Sequence, residues 1–330
     1  MNLSPLFKNP IFAANKKIRI FGEAQSEVTA YLGEKTAVSK NENGSFLIEF
    51  EPMDYCGPFD IRLVCENEEH IIKNAYVGEV ILAAGQSNME YKMRDGEPTQ
   101  KDISPLPLVR EISTKNREFT EQTVGERFFF DDGWALCDLE NAPYFSAIAF
   151  YVAREIAREK KCAVGIVGVY QGASVIESFM SKNALVDMGY SVSDDERSAV
   201  LSHFWNKDSF MYENQFLKIV PFSFSRVLWY QGESNSNDRS AFIYGDLLSS
   251  LISLWRSDLR DENLPFTVVQ IADTESRLNE NWKSIQRAQE QIEGKIGAVK
   301  CVKSADISER DNIHPPTKLP LAMRIYDTFI

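Results

Sequence analysis

Ser87 lies in the segment VGEVILAAGQSNMEYKM (77–93), where an apolar run gives way to Gly85 and then to Gln86, Ser87 and Asn88. A serine at the carboxyl end of a buried strand, with its backbone N–H at a helix start, can attack an acyl carbon and hold the resulting oxyanion. A serine at a strand-to-helix turn is also a common N-cap, so this segment alone leaves both roles open. A hydroxyl needs a base to act as a nucleophile at neutral pH. Of the three histidines, His314 follows a carboxylate, Asp311, by three residues. Such a carboxylate would fix the imidazole tautomer and stabilise its cation. His203, beside Trp205, is the competing base, and His70 in the polar stretch EEH reads as a surface residue.

These residues need a frame. The apolar runs 80–84, 162–170, 226–231, 265–272 and 298–307 alternate with stretches of helical periodicity at 143–160, 206–220, 240–256 and 281–294, the first with Pro143 at its opening position. Five buried strands alternating with helices predict an α/β fold with a parallel sheet and right-handed crossovers. Ligands in such a sheet bind beyond the carboxyl ends of the strands. Gly85 to Asn88, Gln171-Gly172, Gln231 to Asn235 and Asp311 to His314 all fall on that edge. Their convergence favours Ser87 as a nucleophile over Ser87 as a cap.

Residues 1–75 differ. Short alternating runs at 18–24, 27–33, 45–52 and 59–66, separated by Asn43-Gly44 and Gly57-Pro58, predict a small antiparallel β-sandwich. The expected division is thus a sandwich at 1–75 and a catalytic domain at 76–330. Residues 94–142, with Pro98, Pro105 and Pro107, read as a long polar loop or a cap over the site.

The net charge of −12 argues against nucleic acid or an anionic membrane as partner. A small molecule or an oligosaccharide fits better, and the sequence does not specify an oligomeric state. No apolar run reaches the roughly 18 residues that span a bilayer. The start MNLSPLFKNP lacks the apolar core of a secretory signal, so a cytoplasmic location is expected, or secretion if a leader has been removed. Five widely spaced cysteines without a CxxC predict reduced, buried thiols, and three scattered histidines predict no zinc site.

The segments GQSNM, WYQGESN and DNIHP, in that order, resemble the blocks of the SGNH hydrolase superfamily, in particular its sialate O-acetylesterase and carbohydrate acetylesterase branch. The resemblance extends to IRIFGEA, NAPYFSAIAFYVAREI and QGASVIESF and so covers most of the chain. It implies a three-layer, flavodoxin-like parallel sheet and a serine esterase that removes acetyl groups from a sugar, with no metal or organic cofactor. It further implies Ser87 as nucleophile, His314 as base, Asp311 as its partner, and the Ser87 and Gly172 N–H groups as oxyanion donors. The third donor is an amide after the third strand, either Gln231 or Asn235, because the superfamily's Gly-x-Asn spacing would fall on Ser234. Gln86, Asn88 and Glu233 would support the serine turn. A sialic acid carboxylate would call for an arginine, and Arg94, Arg239 and Arg310 are available. Two other readings are a non-catalytic carbohydrate-binding protein and a lipase or thioesterase on the same scaffold.

Overall fold

A computed structural model describes residues 1–96, 104–113, 133–192, 203–237, 239–275, 279–309 and 312–329. Its centre is the strand Glu68–Gly85, eighteen residues long, whose final run from Val80 to Gly85 is wholly buried. That half pairs in parallel with Val164–Tyr170 on one side and Arg226–Tyr230 on the other. The sheet runs Ala135–Cys137, Leu106–Ser113, Val164–Tyr170, Glu68–Gly85, Arg226–Tyr230, Phe266–Val269, Val299–Val302. Six of these strands are parallel, and Ala135–Cys137 is an antiparallel edge.

The five expected strands are therefore joined by a sixth, Leu106–Ser113, from the segment read as loop or cap. It carries Arg110 and Glu111, both buried. Charges in a strand covered on both faces hide its apolar signature, and here each is held by partners distant in sequence. Arg110 Nη1 donates to the carbonyls of Asn9 and Asn74 at 2.5 and 3.1 Å. Glu111 accepts from Ser146 N–H at 3.0 Å and from the Tyr170 hydroxyl at 3.0 Å.

The helix predicted at 143–160 forms as Ala147–Lys160, capped by Ser146, whose hydroxyl accepts from Ala149 N–H. Pro143 belongs to a preceding 3-10 turn, Ala142–Tyr144. The helices predicted at 240–256 and 281–294 form as Tyr244–Asp258 and Glu280–Lys295. The stretch 206–220 does not form one helix. Ser209 at φ 67° and Gln215 at φ −121°, ψ −56° divide it into Phe204–Asn206, Phe210–Asn214 and Phe216–Ile219. Phe216 stacks on Trp255 at 4.2 Å, and Trp255 meets Trp229 edge-on at 5.6 Å, so the broken segment still fills the core beneath the third expected strand.

Before residue 68 the strands are mostly antiparallel. Ile18–Glu23, Ser45–Phe50 and Lys40–Glu42 pair in succession with Asn2–Leu3 at the edge, and Asn43 and Gly44, both at positive φ, make the hairpin turn. Gly57-Pro58 lies inside the strand Cys56–Cys65, where the register shifts, and is not a turn. That strand pairs with the first half of Glu68–Gly85, so one continuous strand crosses the expected boundary at residue 75. Arg19 adds a second tie, donating to Glu49 and to the Leu259 carbonyl, both at 2.9 Å. All five thiols are free; Cys56 is exposed, against the expectation of burial. Among the described residues no helix is long and apolar enough to cross a membrane.

The central strand ends at Gly85 because only glycine fits there. Its φ is 139°, and a Cβ would sit 2.1 Å from the Tyr230 carbonyl oxygen. Gly85→Ala is expected to cost at least about 2 kcal/mol from strain and forced displacement of the neighbouring strand. Urea unfolding of the purified variant measures this, and an unchanged midpoint would contradict it.

Candidate active site

Ser87 opens a one-turn helix, Ser87–Glu90, and the cap position belongs to Gln86 in extended conformation. The N-cap role considered for Ser87 is therefore not the one it fills. Its Oγ lies 2.7 Å from Nε2 of His314, although 227 positions separate them. Both side chains are half-buried. Asp311 lies outside the described residues, as does Arg310. His203 is exposed and stacked on Trp205 at 4.4 Å, and His70 is exposed.

The serine turn is fastened from below by buried amides. Gln86 N–H donates to the Tyr230 carbonyl at 3.0 Å. Its side-chain Oε1 accepts from Gln231 Nε2 at 3.2 Å, Gly232 N–H at 3.3 Å and Ser234 N–H at 3.2 Å. Asn88 Nδ2 donates to Glu233 Oε1 at 2.7 Å and to the Ile313 carbonyl at 3.0 Å, which ties the serine helix to the residue before His314. Ser146, the cap of the long helix, donates from Oγ to the Met89 carbonyl at 2.7 Å.

Gly172 comes close to the serine: a Cβ on it would lie 3.6 Å from Ser87 Cβ. Its N–H donates to Glu90 Oε2 at 2.7 Å, so a carboxylate oxygen occupies this donor. The two amides considered as a third oxyanion donor are engaged elsewhere. Gln231 Nε2 lies 2.7 Å from Asn235 Oδ1 and 3.0 Å from the Ser174 carbonyl. Asn235 Nδ2 donates to Glu177 Oε2 at 2.8 Å and Ser240 Oγ at 3.0 Å, and its Oδ1 also accepts from Ile176 N–H at 3.0 Å. Both residues are wholly buried.

Ser87 and His314 open onto a cavity of about 600 Å³ whose walls include Glu90, Tyr91, Lys92, Arg94, Tyr144 and Tyr170. The Arg94 guanidinium lies 4.6 Å over the Tyr144 ring and 3.6 Å from Asp95. Lys92 Nζ donates to the Tyr170 hydroxyl at 2.8 Å. Glu111 also lines the cavity. Burial pushes its pKa up, against the Lys92 charge and hydrogen bonds from Tyr170 and Ser146. The side chain of Arg239 lies outside the described residues. Among those residues, no three His, Cys, Asp or Glu side chains gather in a way that could hold a metal ion. Sequence reasoning missed Glu90, Lys92 and Glu111. The first two lie within three residues of GQSNM and line the same cavity as the serine, and that proximity was the available signal.

Fold and site together are those of an α/β protein whose parallel sheet brings a serine and a histidine into contact beyond the carboxyl ends of its strands. Residues 77–323 match the profile of the family described as carbohydrate esterase, sialic acid-specific acetylesterase, and the chain belongs to that family. It is 24% identical over 353 residues to the human sialate O-acetylesterase, covering 93% of this chain and 65% of the relative. With the rat sialate O-acetylesterase it shares 23% identity over 310 residues, covering 76% of this chain and 56% of the relative. The chain thus spans between half and two thirds of these relatives' length. Among solved structures, a carbohydrate acetylesterase from Xanthomonas citri superimposes with a TM-score of 0.84 at 21% identity, covering 99% of this chain and 74% of that one. This likeness establishes the shared fold.

Gln86→Leu removes the acceptor that Gln231, Gly232 and Ser234 share. The loss is expected to lower stability by about 2–4 kcal/mol, because buried donors are left without a partner. Chemical denaturation checks it; a change within about 0.5 kcal/mol would contradict the role given to Gln86.

Proposed function

We propose that this protein is a serine esterase that removes O-acetyl groups from a carbohydrate through an acetyl-enzyme. The observation that carries the reading is the 2.7 Å contact between Ser87 Oγ and His314 Nε2 at the wall of a cavity of about 600 Å³. Ser87 Oγ attacks the acetyl carbonyl carbon while His314 Nε2 takes its proton. Charge developing on the carbonyl oxygen is met by the Ser87 and Gly172 N–H groups. The Glu90 carboxylate must first leave Gly172, and an anionic oxygen already resting on that N–H supports its assignment as a donor. The tetrahedral intermediate collapses, the sugar oxygen leaves with the proton from His314, and the acetyl group remains on Ser87. Water, deprotonated by the same imidazole, then releases acetate and restores the hydroxyl. Asp311 is the proposed partner of His314. Gln231 and Asn235, whose amide hydrogens are committed within the buried network, act as supports beneath the site.

The substrate we favour is an acetylated sialic acid. Arg94 and Lys92 give the cavity two cations able to meet a sugar carboxylate, and Tyr91 and Tyr144 offer ring faces to a pyranose. A neutral acetylated glycan would use the rings and leave Arg94 idle. The charged lining suits a short acyl group on a polar alcohol better than a fatty acyl chain. In architecture, we read the parallel sheet and its helices as the three-layer, flavodoxin-like SGNH arrangement. We read residues 1–75 as an antiparallel sandwich accessory to the catalytic domain 76–330; the antiparallel pairing before residue 68 supports this.

Ser87→Ala is expected to reduce p-nitrophenyl acetate turnover at least about a thousandfold with little change in melting temperature; retained turnover would refute the assignment. Acetate release from acetylated sialic acids and acetylated xylo-oligosaccharides tests the substrate. Arg94→Ala should raise KM for the sialic acids about tenfold and leave xylo-oligosaccharides and p-nitrophenyl acetate unaffected. An equal effect on all three, or none, would contradict carboxylate recognition.

A further inference from the structure

Lys318, at the N-terminal boundary of the helix Leu319–Tyr326, takes no part in the chemistry above, yet it is a cation only 2% exposed. Its Nζ donates to Asn88 Oδ1 at 2.7 Å and lies 4.6 Å over the Tyr91 ring. The charged groups acting on it are Glu233 and Glu309, which favour its protonated form, while burial, the larger influence, draws its pKa down to about 7. On the far side of the same carboxamide, Asn88 Nδ2 donates to Glu233 Oε1 and to the Ile313 carbonyl. A primary amide has one accepting end and one donating end, and an ammonium can only donate. Turned over, the Asn88 amide would set its NH2 against Lys318 and its oxygen against a carboxylate and a carbonyl. In its protonated form, which Glu233 and Glu309 favour, Lys318 therefore excludes the wrong orientation. His314 and Lys318 are joined through Pro315, Pro316 and Thr317, and two consecutive prolines restrict the backbone between them. The histidine segment is thus held to the serine helix at two points, the Ile313 carbonyl and the Lys318 ammonium, by one side chain.

We propose that Lys318 is a positioning residue for His314. It fixes the Asn88 carboxamide, which holds the Ile313 carbonyl and so sets the imidazole against Ser87 Oγ. The proposal rests on the reading of Ser87 and His314 as an esterase pair.

Lys318→Met keeps the apolar stem and removes the donor. The expected result is a 10- to 100-fold fall in kcat for p-nitrophenyl acetate, since a small misplacement of a catalytic group is enough for that, with KM within about threefold. The melting temperature should hold or rise, because a buried charge has been removed. Lys318→Arg, which keeps charge and donors, should recover most of the lost kcat. An unchanged kcat in Lys318→Met, or a fall that merely follows a loss of folded protein, would overturn the proposal. Should Lys318→Met fail to fold, Asn88→Asp replaces it: its carboxylate accepts from Lys318 but cannot donate to Ile313, so the same fall in kcat is expected and retained kcat overturns the proposal. Wild-type protein inert towards the ester would instead refute the esterase reading. In that event a crystal structure of Lys318→Met or of Asn88→Asp decides the positioning role, supported by a displaced His314 and overturned by the 2.7 Å distance kept.

Discussion

A hydrogen bond between side chains 227 positions apart, Ser87 Oγ to His314 Nε2, is the constraint that the rest of this structure serves. Proton transfer at such a contact tolerates little error in distance, and loops left to themselves would not hold it. The protein meets the requirement by ending its central strand at Gly85, where the Tyr230 carbonyl approaches too closely for any side chain. The serine is thereby placed at a fixed height above the sheet. The histidine arrives from the other end of the chain and must be brought to it.

The bringing together is done by amides and not by apolar packing. Gln86 collects three donors from the loop after Arg226–Tyr230, and Asn88 links the serine helix to Ile313, Glu233 and Lys318. Burying such groups is costly unless their hydrogen bonds are made. A network of this kind contributes less to net stability than to excluding other arrangements. Apolar contacts could hold the loops near one another, but they are non-directional and would leave the imidazole free to rotate or slide. Gln231 and Asn235 extend the same network to Ser174, Ile176 and Glu177, which fixes the Gly172 turn against the serine.

The sequence showed the parts of this arrangement that depend on local pattern. The runs VILAA and VGIVGVY announce strands buried on both faces, and the polar residues that follow them fall on one edge by topology alone. Ser87, Gln86, Asn88, Gly172, Glu233 and His314 could be read in this way. Leu106–Ser113 could not, because Arg110 and Glu111 interrupt its apolar run and are made tolerable only by partners far away in sequence, at Asn9, Asn74, Ser146 and Tyr170. The helix expected at 206–220 fails for a similar reason. Its apolar spacing is real, but it is satisfied by three short segments packed against Trp255. Lys318 reads in the sequence as an ordinary charged residue before a helix. Only the fold shows that it is buried against Asn88. That the Gln231 and Asn235 amide hydrogens are taken up by the buried network was likewise invisible in the sequence, since it depends on partners such as Ser174 and Glu177.

Activation of Ser87 by His314 is the step on which the proposed chemistry depends. Treatment with a fluorophosphonate followed by peptide mass spectrometry measures this directly. The result expected is a single adduct on Ser87 in the native protein and its loss in His314→Ala. No adduct, an adduct at another residue, or undiminished labelling without His314 would contradict it.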